Sequence, residues 1–380
     1  MDLTIKTLSG LEPVLAQELE ALGAGDIKPG GRVVTCTGDQ RLVYRACLEL
    51  RTALRVLIPI ARFRVYDEHH LYKNIRRKIP WAEYMDVTDT LAVDAVTKSD
   101  EFRHSKFVAL KTKDAIVDEF RRLTEDRPNV DTRRPTLRIN VHINDLDCTV
   151  SLDASGDSLH QRGYRKEKVA APLNEVLAAG MLLIAGYDGS QSFLDPMSGS
   201  GTLPIEAALI AARKAPGSIR DDFGFFRWKD FDADLWQEVL AAAKKQERIP
   251  PLPIHGYDSD FKAVRMGQRN AMNAGVDEYI AFERQKFEKI KSKPFEEGLM
   301  IMNPPYDERL EETNIERFYS MIGDQLKQVF PGFTAWIISS NIPAMKSVGL
   351  RASKRKTLFN GALECKYMRF DLYEGSKKEV

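Results

Sequence analysis

The sequence predicts an α/β chain. Its larger part is a doubly wound, Rossmann-like domain with a parallel sheet, closed by a terminal antiparallel hairpin and preceded by smaller α+β units. Three observations predict this. Beyond residue 172, short apolar strands alternate with segments of helical period, the pattern of strands joined by crossover helices. Near the end, Asn360-Gly361 stands between two alternating runs, a strong hairpin signal. The first 155 residues interleave strands and helices in a different order, that of compact α+β folds.

Residues 2–8 read as a strand. Over 11–22, Leu11, Val14, Leu15, Leu19 and Leu22 recur at helical spacing, and Gly23 and Gly25 end that helix. A Gly30-Gly31 turn leads into a strand over 32–37. Asp39 is placed to cap a helix over 40–54, and 58–65 is a last strand. These elements are read as the ferredoxin-like order β-α-β-β-α-β, with one of its strands left unmarked, and this unit is assigned to residues 1–65. A second unit, 66–155, holds a polar helix over 70–78 that ends at Pro80-Trp81, and a strand over 90–97. A helix over 105–123 follows, with Phe107, Leu110, Ile116, Val117 and Phe120 largely on one face, then a hairpin of 136–143 with 147–152. Residues 156–171 are polar and basic and read as a linker. The large domain then occupies 172–380.

That domain opens on an apolar helix over 173–183. Strand–turn–helix units follow: 192–194 into 202–212, 254–257 into 261–273, and 299–302 into 315–329. A strand over 334–339 precedes the hairpin of 354–358 with 363–373.

Composition removes several classes of function. A chain of 380 residues, 43% hydrophobic and 29% charged, buries a core without disulfide or metal staples. The net charge is +1, so a nucleic-acid surface has to come from local clustering. Apolar stretches such as 181–186 fall far short of the roughly 18 residues of a membrane span. The four cysteines show no paired spacing and no nearby histidine cluster, which fits a reduced cytoplasm and no structural zinc. No metal and no obligatory protein partner is expected.

Three motifs carry chemistry. The first is Phe193-Leu-Asp-Pro-Met-Ser-Gly-Ser-Gly-Thr202, running into an Ala-rich helix. Gly199 and Gly201 let the backbone turn tightly and approach a ligand at the mouth of the sheet. Asp195 is placed to accept hydrogen bonds from a cationic or amino-bearing ligand. Pro204 stands where a dinucleotide fingerprint has its third glycine, and no P-loop Gly-Lys-Ser/Thr is present. The second motif is His255-Gly-Tyr-Asp-Ser-Asp260. A carboxylate at Asp258 can take both ribose hydroxyls, or can cap the following helix; Asp260 is the better cap candidate. Between the two motifs lies an insertion, 216–253, rich in aromatic residues. The third motif is Asn303-Pro-Pro-Tyr306 at the end of a buried strand. Pro304 and Pro305 fix the backbone and leave carbonyls without ladder partners. The Asn303 side-chain oxygen and the Pro304 carbonyl can accept the two hydrogens of a planar amino group, and Tyr306 offers a face for a stacked base.

Asp195-Pro196-Met-Ser198-Gly199-Ser-Gly201-Thr202, Asp258 and Asn303-Pro-Pro-Tyr306, in this order, resemble the S-adenosylmethionine-dependent amino-methyltransferases. The chain is most similar to the RlmL-like bacterial 23S rRNA guanine-N2 methyltransferases, which carry a THUMP RNA-binding domain. His160-Gln-Arg-Gly-Tyr-Arg165, Ala171-Pro-Leu173 and Asn360-Gly-Ala-Leu363 match that family as well. The resemblance covers essentially the whole chain and implies a ferredoxin-like piece and a THUMP unit ahead of the methyltransferase domain. It implies S-adenosylmethionine held by Asp195, Pro196, Ser198, Gly199, Gly201, Thr202 and Asp258, with Asn303, Pro304, Pro305 and Tyr306 at the reacting base. Two positions depart from the family. Ser198 stands where a cysteine is common. Lys286 stands where an Asp receives the adenine amino group, so that contact falls to a backbone group or to Glu283.

RNA contacts are expected from basic clusters. Residues 51–80 hold eight Lys/Arg against Asp67 and Glu68, and 346–356 holds five with no acid. Such clusters bind phosphate without reading sequence. The residues singled out for RNA are Arg76, Arg77, Lys106, Arg162 and Arg165. The implied function is methyl transfer to the exocyclic amino group of a guanine in structured RNA, 23S rRNA foremost. Its rivals are tRNA guanine-N2 or DNA adenine-N6 methylation, and a ribosome-assembly factor with an inactive methyltransferase fold.

Overall fold

The computed structural model describes residues 1–166, 173–305 and 312–374. The first unit consists of β1 (Asp2–Lys6), α1 (Glu12–Ala21), β2 (Gly25–Pro29), β3 (Val33–Thr37), α2 (Gln40–Glu49) and β4 (Arg55–Arg64). The strand β2, rich in Gly, Asp, Lys and Pro, has no apolar alternation and is not apparent in the sequence. With it the β-α-β-β-α-β order is complete. The second unit holds α3 (Glu68–Lys78), α4 (Trp81–Tyr84), β5 (Thr90–Lys98), α5 (Ser105–Thr124), β6 (Asn129–Val130), β7 (Leu137–Asn144) and β8 (Asp147–Asp153).

These two units share one sheet of eight strands, β2-β3-β1-β4-β8-β7-β5-β6. The ten-residue β4 makes the join, pairing with β1 near its start and with β8 over 57–64. The boundary near residue 65 therefore separates helical layers and leaves the sheet continuous.

The third part contains α6 (Glu175–Ile184), β9 (Phe193–Asp195), α7 (Thr202–Ala211), α8 (Ala233–Lys245), β10 (Ile254–Asp258), α9 (Phe261–Ala274), β11 (Ile280–Arg284) and β12 (Gly298–Met302). It ends with α10 (Glu312–Val329), β13 (Phe333–Ser339), α11 (Ile342–Lys346), β14 (Lys354–Asn360) and β15 (Leu363–Asp371). The sheet order is β11-β10-β9-β12-β13-β15-β14, with β15 running antiparallel to its neighbours β13 and β14 and the other strands sharing one direction. Because β9 is flanked by β10 and β12, the winding reverses between β9 and β12. The carboxyl ends of these strands open the crevice in which such sheets bind ligands. The hairpin is present, but Asn360 pairs with Leu363, so its two-residue loop is Gly361-Ala362.

Two expectations fail. On α5 the buried side chains include Val108, Thr112, Ala115 and Phe120, whereas Phe107 and Leu110 are 45% and 51% exposed. Periodicity found the helix but widened its covered face. The segment read as a linker is also no free tether up to Lys166, because Leu159, Arg162 and Tyr164 are buried in it. Residues 167–171 lie outside the described residues.

The aromatic insertion explains the burial around that segment. Phe223, Phe225 and Trp236 pack with Leu42, Tyr44, Cys47 and Leu48 in one core that joins the first unit to the third. Phe225 stacks on Tyr44 at a ring separation of 4.5 Å. The insertion reaches the second unit as well, where Arg227 donates to the Pro135 carbonyl at 2.8 Å and Lys229 pairs with Asp86 at 2.7 Å. Among the described residues no helix is long and apolar enough to cross a membrane.

Candidate active site

The glycine turn connects β9 to α7 at the crevice. Gly199 and Gly201 have φ of +52° and +82°, the left-handed region that glycine enters at little cost. The turn is tied to the neighbouring strand: Ser198 N–H donates to the Tyr257 carbonyl at 2.7 Å, and Gly199 N–H donates to Asp258 Oδ2 at 2.9 Å. Asp258 Oδ1 accepts the Asp260 amide at 2.8 Å. Asp260 itself caps α9, its side chain accepting from Lys262 N–H at 2.9 Å. The two roles open at this motif are thus divided, with Asp258 facing the turn and Asp260 capping the helix.

Asp195 ends β9, buried, with Oδ1 accepting the Met197 amide at 3.0 Å. Burial first, and the Asp258 carboxylate second, push its pKa well above the ordinary carboxylate range. Two neighbouring carboxylates in a closed crevice suit a ligand that brings positive charge. Pro196 is buried beside it. The Ser198 hydroxyl is buried without a protein partner, and space beside Gly199 is open.

Three glycines make room for one ring. A Cβ added at Gly201, Gly256 or Gly267 would lie 2.8 Å from an atom of the Phe282 ring. Phe282, on β11, thus packs beneath the turn and holds it against β10 and α9. Sequence reasoning missed this residue. Its trace was Gly267 inside a helix, where glycine costs about 1 kcal/mol relative to alanine and so signals a close approach.

Asn303 follows β12 at the same end of the sheet. Its Oδ1 is buried with no hydrogen-bond partner, an acceptor held without a donor inside the protein. A buried orphan acceptor calls for an explanation, and a ligand donor supplies one. Pro304 is buried and Pro305 exposed. Tyr306 lies outside the described residues.

The description "RMKL-like, methyltransferase domain" matches residues 162–369, "RlmL ferredoxin-like domain" residues 2–57, and "THUMP domain" residues 65–153. The chain belongs to the RMKL-like methyltransferase family. The ribosomal RNA large subunit methyltransferase K/L of Syntrophotalea carbinolica is 43% identical over 98% of this chain and 54% of its own length. The chain therefore spans about half the length of that relative. A Synechocystis sp. relative, slr0064, is 40% identical over 96% of this chain and 95% of its own length. Among solved structures, SMU.472 complexed with SAH superimposes with a TM-score of 0.88 at 26% identity, covering 99% of both chains.

In this RMKL-like chain, the residues expected to touch RNA fall into two groups. Lys106 and Arg77 are exposed. Arg76 pairs with Glu119 at 2.8 Å and lines, with Arg77, Lys78 and Arg122, a cleft of ≈560 Å³ between the ends of α3 and α5. The other two arginines are turned into the protein, away from the surface where RNA was expected. Arg162 is 2% exposed, its Nε facing Glu206 at 3.5 Å and its Nη1 donating to the Leu159 carbonyl at 2.8 Å. Arg165 pairs with Glu175 at 2.9 Å and donates to Thr202 Oγ1 at 2.7 Å. Both are consumed by internal partners. Arg51 and Arg55, counted in the basic window, are likewise turned inward, Arg55 onto buried Asp153. Glu283 and Lys286 are both exposed at the end of β11, where Asp258 pairs with Arg284 in the ladder.

Proposed function

We propose that the chain transfers a methyl group from S-adenosylmethionine to the exocyclic N2 of a guanine in structured RNA, with 23S rRNA as the substrate and the cytoplasm as the place of action. The observation that carries this reading is the buried, unpartnered Asn303 Oδ1 at the mouth of the crevice. The names of the K/L relatives support the choice of ribosomal RNA. The THUMP match and the basic cleft on the second unit support an RNA substrate.

The residues present fit the cofactor. The open space beside Gly199 admits a ligand against the backbone, Asp258 offers acceptors for ribose hydroxyls, and Ser198 Oγ is a further polar group without a protein partner. When bound, S-adenosylmethionine supplies an activated methyl group on a positively charged sulfur. The chain's own part is positional. A guanine amino nitrogen is a weak nucleophile because its lone pair is delocalised into the ring. Asn303 Oδ1 and the Pro304 carbonyl, accepting one amino hydrogen each, fix the orientation of the amino group and favour a pyramidal nitrogen whose lone pair is less delocalised into the ring. The apolar strand below, with Leu299 to Met302 buried, keeps the site poor in water. Unpairing the guanine costs a few kcal/mol, which contacts from the N-terminal units offset.

The test is methyl transfer from radiolabelled cofactor to 23S rRNA, followed by nucleoside mass spectrometry, with the wild-type chain and Asn303→Ala. N2-methylguanosine from the wild type is expected, with turnover about 100-fold or more lower in the variant and cofactor affinity nearly unchanged. Label found in adenine, or near-normal turnover in the variant, would overturn the reading.

A further inference from the structure

Helix α7 starts at the cofactor turn without a side-chain cap of its own, because its N-cap is Gly201. What fixes it comes from the stretch 158–165. Arg165 Nη2 donates to Thr202 Oγ1 at 2.7 Å and to the Leu173 carbonyl at 3.3 Å, while Nη1 pairs with Glu175 Oε1 at 2.9 Å. Thr202 is the first residue of α7. One turn further, Glu206 Oε1 accepts the Tyr164 hydroxyl at 3.3 Å and faces Arg162 Nε at 3.5 Å. Arg162 Nη2 also reaches the Arg51 carbonyl at 2.5 Å. Arg51 Nη2 in turn donates to the carbonyls of Leu209 and Lys214 at the far end of the helix. Three arginines outside α7 thus hold its start, middle and end.

We propose that Arg165 is a positioning residue for the cofactor turn, acting through Thr202 Oγ1 and Glu175 to fix where α7 begins. The place of Gly199 and Gly201, and of the backbone N–H groups they present, follows from that start. The inference rests on the reading that this turn binds S-adenosylmethionine. It also redefines Thr202. With a lone pair occupied by Arg165, the hydroxyl hydrogen is turned away from the guanidinium, and the residue serves as the point by which the turn is held. Glu175 balances the arginine charge, so that no net positive charge faces a cationic ligand. Lysine cannot replace the fork, since one ammonium does not span Thr202, Leu173 and Glu175 in the geometry of a planar guanidinium.

The experiment is calorimetric titration of the full chain with S-adenosylmethionine and S-adenosylhomocysteine for wild type, Thr202→Val, Arg165→Lys and Arg165→Met. Thr202→Val removes the acceptor and leaves the Arg165–Glu175 pair intact, so it decides the matter if Arg165→Met fails to fold. Expected are a Kd about tenfold higher for both ligands in Thr202→Val and a graded loss from Lys to Met at 165. The binding stoichiometry per folded chain and the KM for RNA should stay at wild-type values. A purely structural role would lower the folded fraction and leave the Kd of that fraction unchanged, and this result would overturn the inference. A wild-type chain that binds neither ligand would overturn the cofactor reading itself, and this inference with it.

Discussion

The Asp258 carboxylate accepts the Gly199 amide at 2.9 Å, so the end of β10 holds the turn that follows β9. Each carboxylate oxygen keeps a second lone pair beyond the one used by Gly199 or Asp260, which leaves both able to take the ribose hydroxyls of the proposed cofactor. Asp258→Ala is therefore expected to weaken S-adenosylmethionine and S-adenosylhomocysteine together, by about 10- to 100-fold, the worth of hydrogen bonds to a charged group. Asp258→Asn keeps an acceptor for Gly199 and should fall between. Calorimetric titration of both ligands checks this, and an unchanged Kd for both would leave Asp258 as a clamp on the turn only.

Asp195 carries a pH signature. Its pKa in the folded chain lies well above 3.8, mainly through burial. The folded chain therefore holds this proton to higher pH than the unfolded chain does. The cost of burying the charge is absent below the ordinary carboxylate range and grows as pH rises toward the folded value. Asp195→Asn cannot ionise and still offers an oxygen to the Met197 amide. Its unfolding midpoint should exceed that of the wild type at about pH 8, with the advantage disappearing toward about pH 4. Cofactor affinity should fall in the same variant. Thermal melts across that range decide it, and a pH-independent advantage would assign the titration to another group.

Most strands and helices, and the ligand end of the sheet, were legible because each leaves a local trace, whereas β2, without apolar alternation, leaves none. Apolar period, a glycine pair before a helix and two prolines after a buried strand all act within a few residues. What was not legible depended on distant partners. Arg162 and Arg77 read alike in a sequence, yet one meets Glu206 inside the protein and the other faces solvent. The same holds for Phe107 and Leu110, whose apolar character placed them on a covered face that no neighbouring element supplies. Tyr44 gives no sign that its partner is Phe225, far along the chain.

That contrast between arginines is itself testable. Removing the charge at Arg77, Lys78 or Arg122 should weaken RNA binding uniformly across sequences and lower the salt slope by roughly 1 for each phosphate no longer neutralised. Cofactor affinity should not change. Arg162→Ala should act on folding instead, since it strands Glu206 in the interior at a cost of about 3–5 kcal/mol. Filter binding at two salt concentrations, with thermal melts alongside, separates the two outcomes. An Arg162→Ala chain of normal stability and reduced RNA affinity would return that residue to the RNA surface.

Selection of RNA by the N-terminal units and chemistry in the C-terminal part suggests two separable pieces, but the packing predicts otherwise. Phe223, Phe225 and Trp236 belong by sequence to the methyltransferase part and by contact to the core around Tyr44 and Leu48. Backbone meets backbone there too, for a Cβ at Gly217 would lie 2.8 Å from the Leu48 carbonyl oxygen and one at Gly224 2.5 Å from that of Asp153. Packing this close leaves no layer of water along which the parts could separate. A fragment starting near Gly156 would expose the three aromatic side chains and is expected to aggregate. The full chain should unfold in one calorimetric transition. Phe225→Ala, at a cost of about 3–5 kcal/mol, should lower the midpoint for both parts together. Amide exchange read separately in β1–β8 and in β9–β15 tests this directly. If protection fell in one sheet and not in the other, the shared core would be an interface between independently folding units, and the division of labour could be tested on fragments after all.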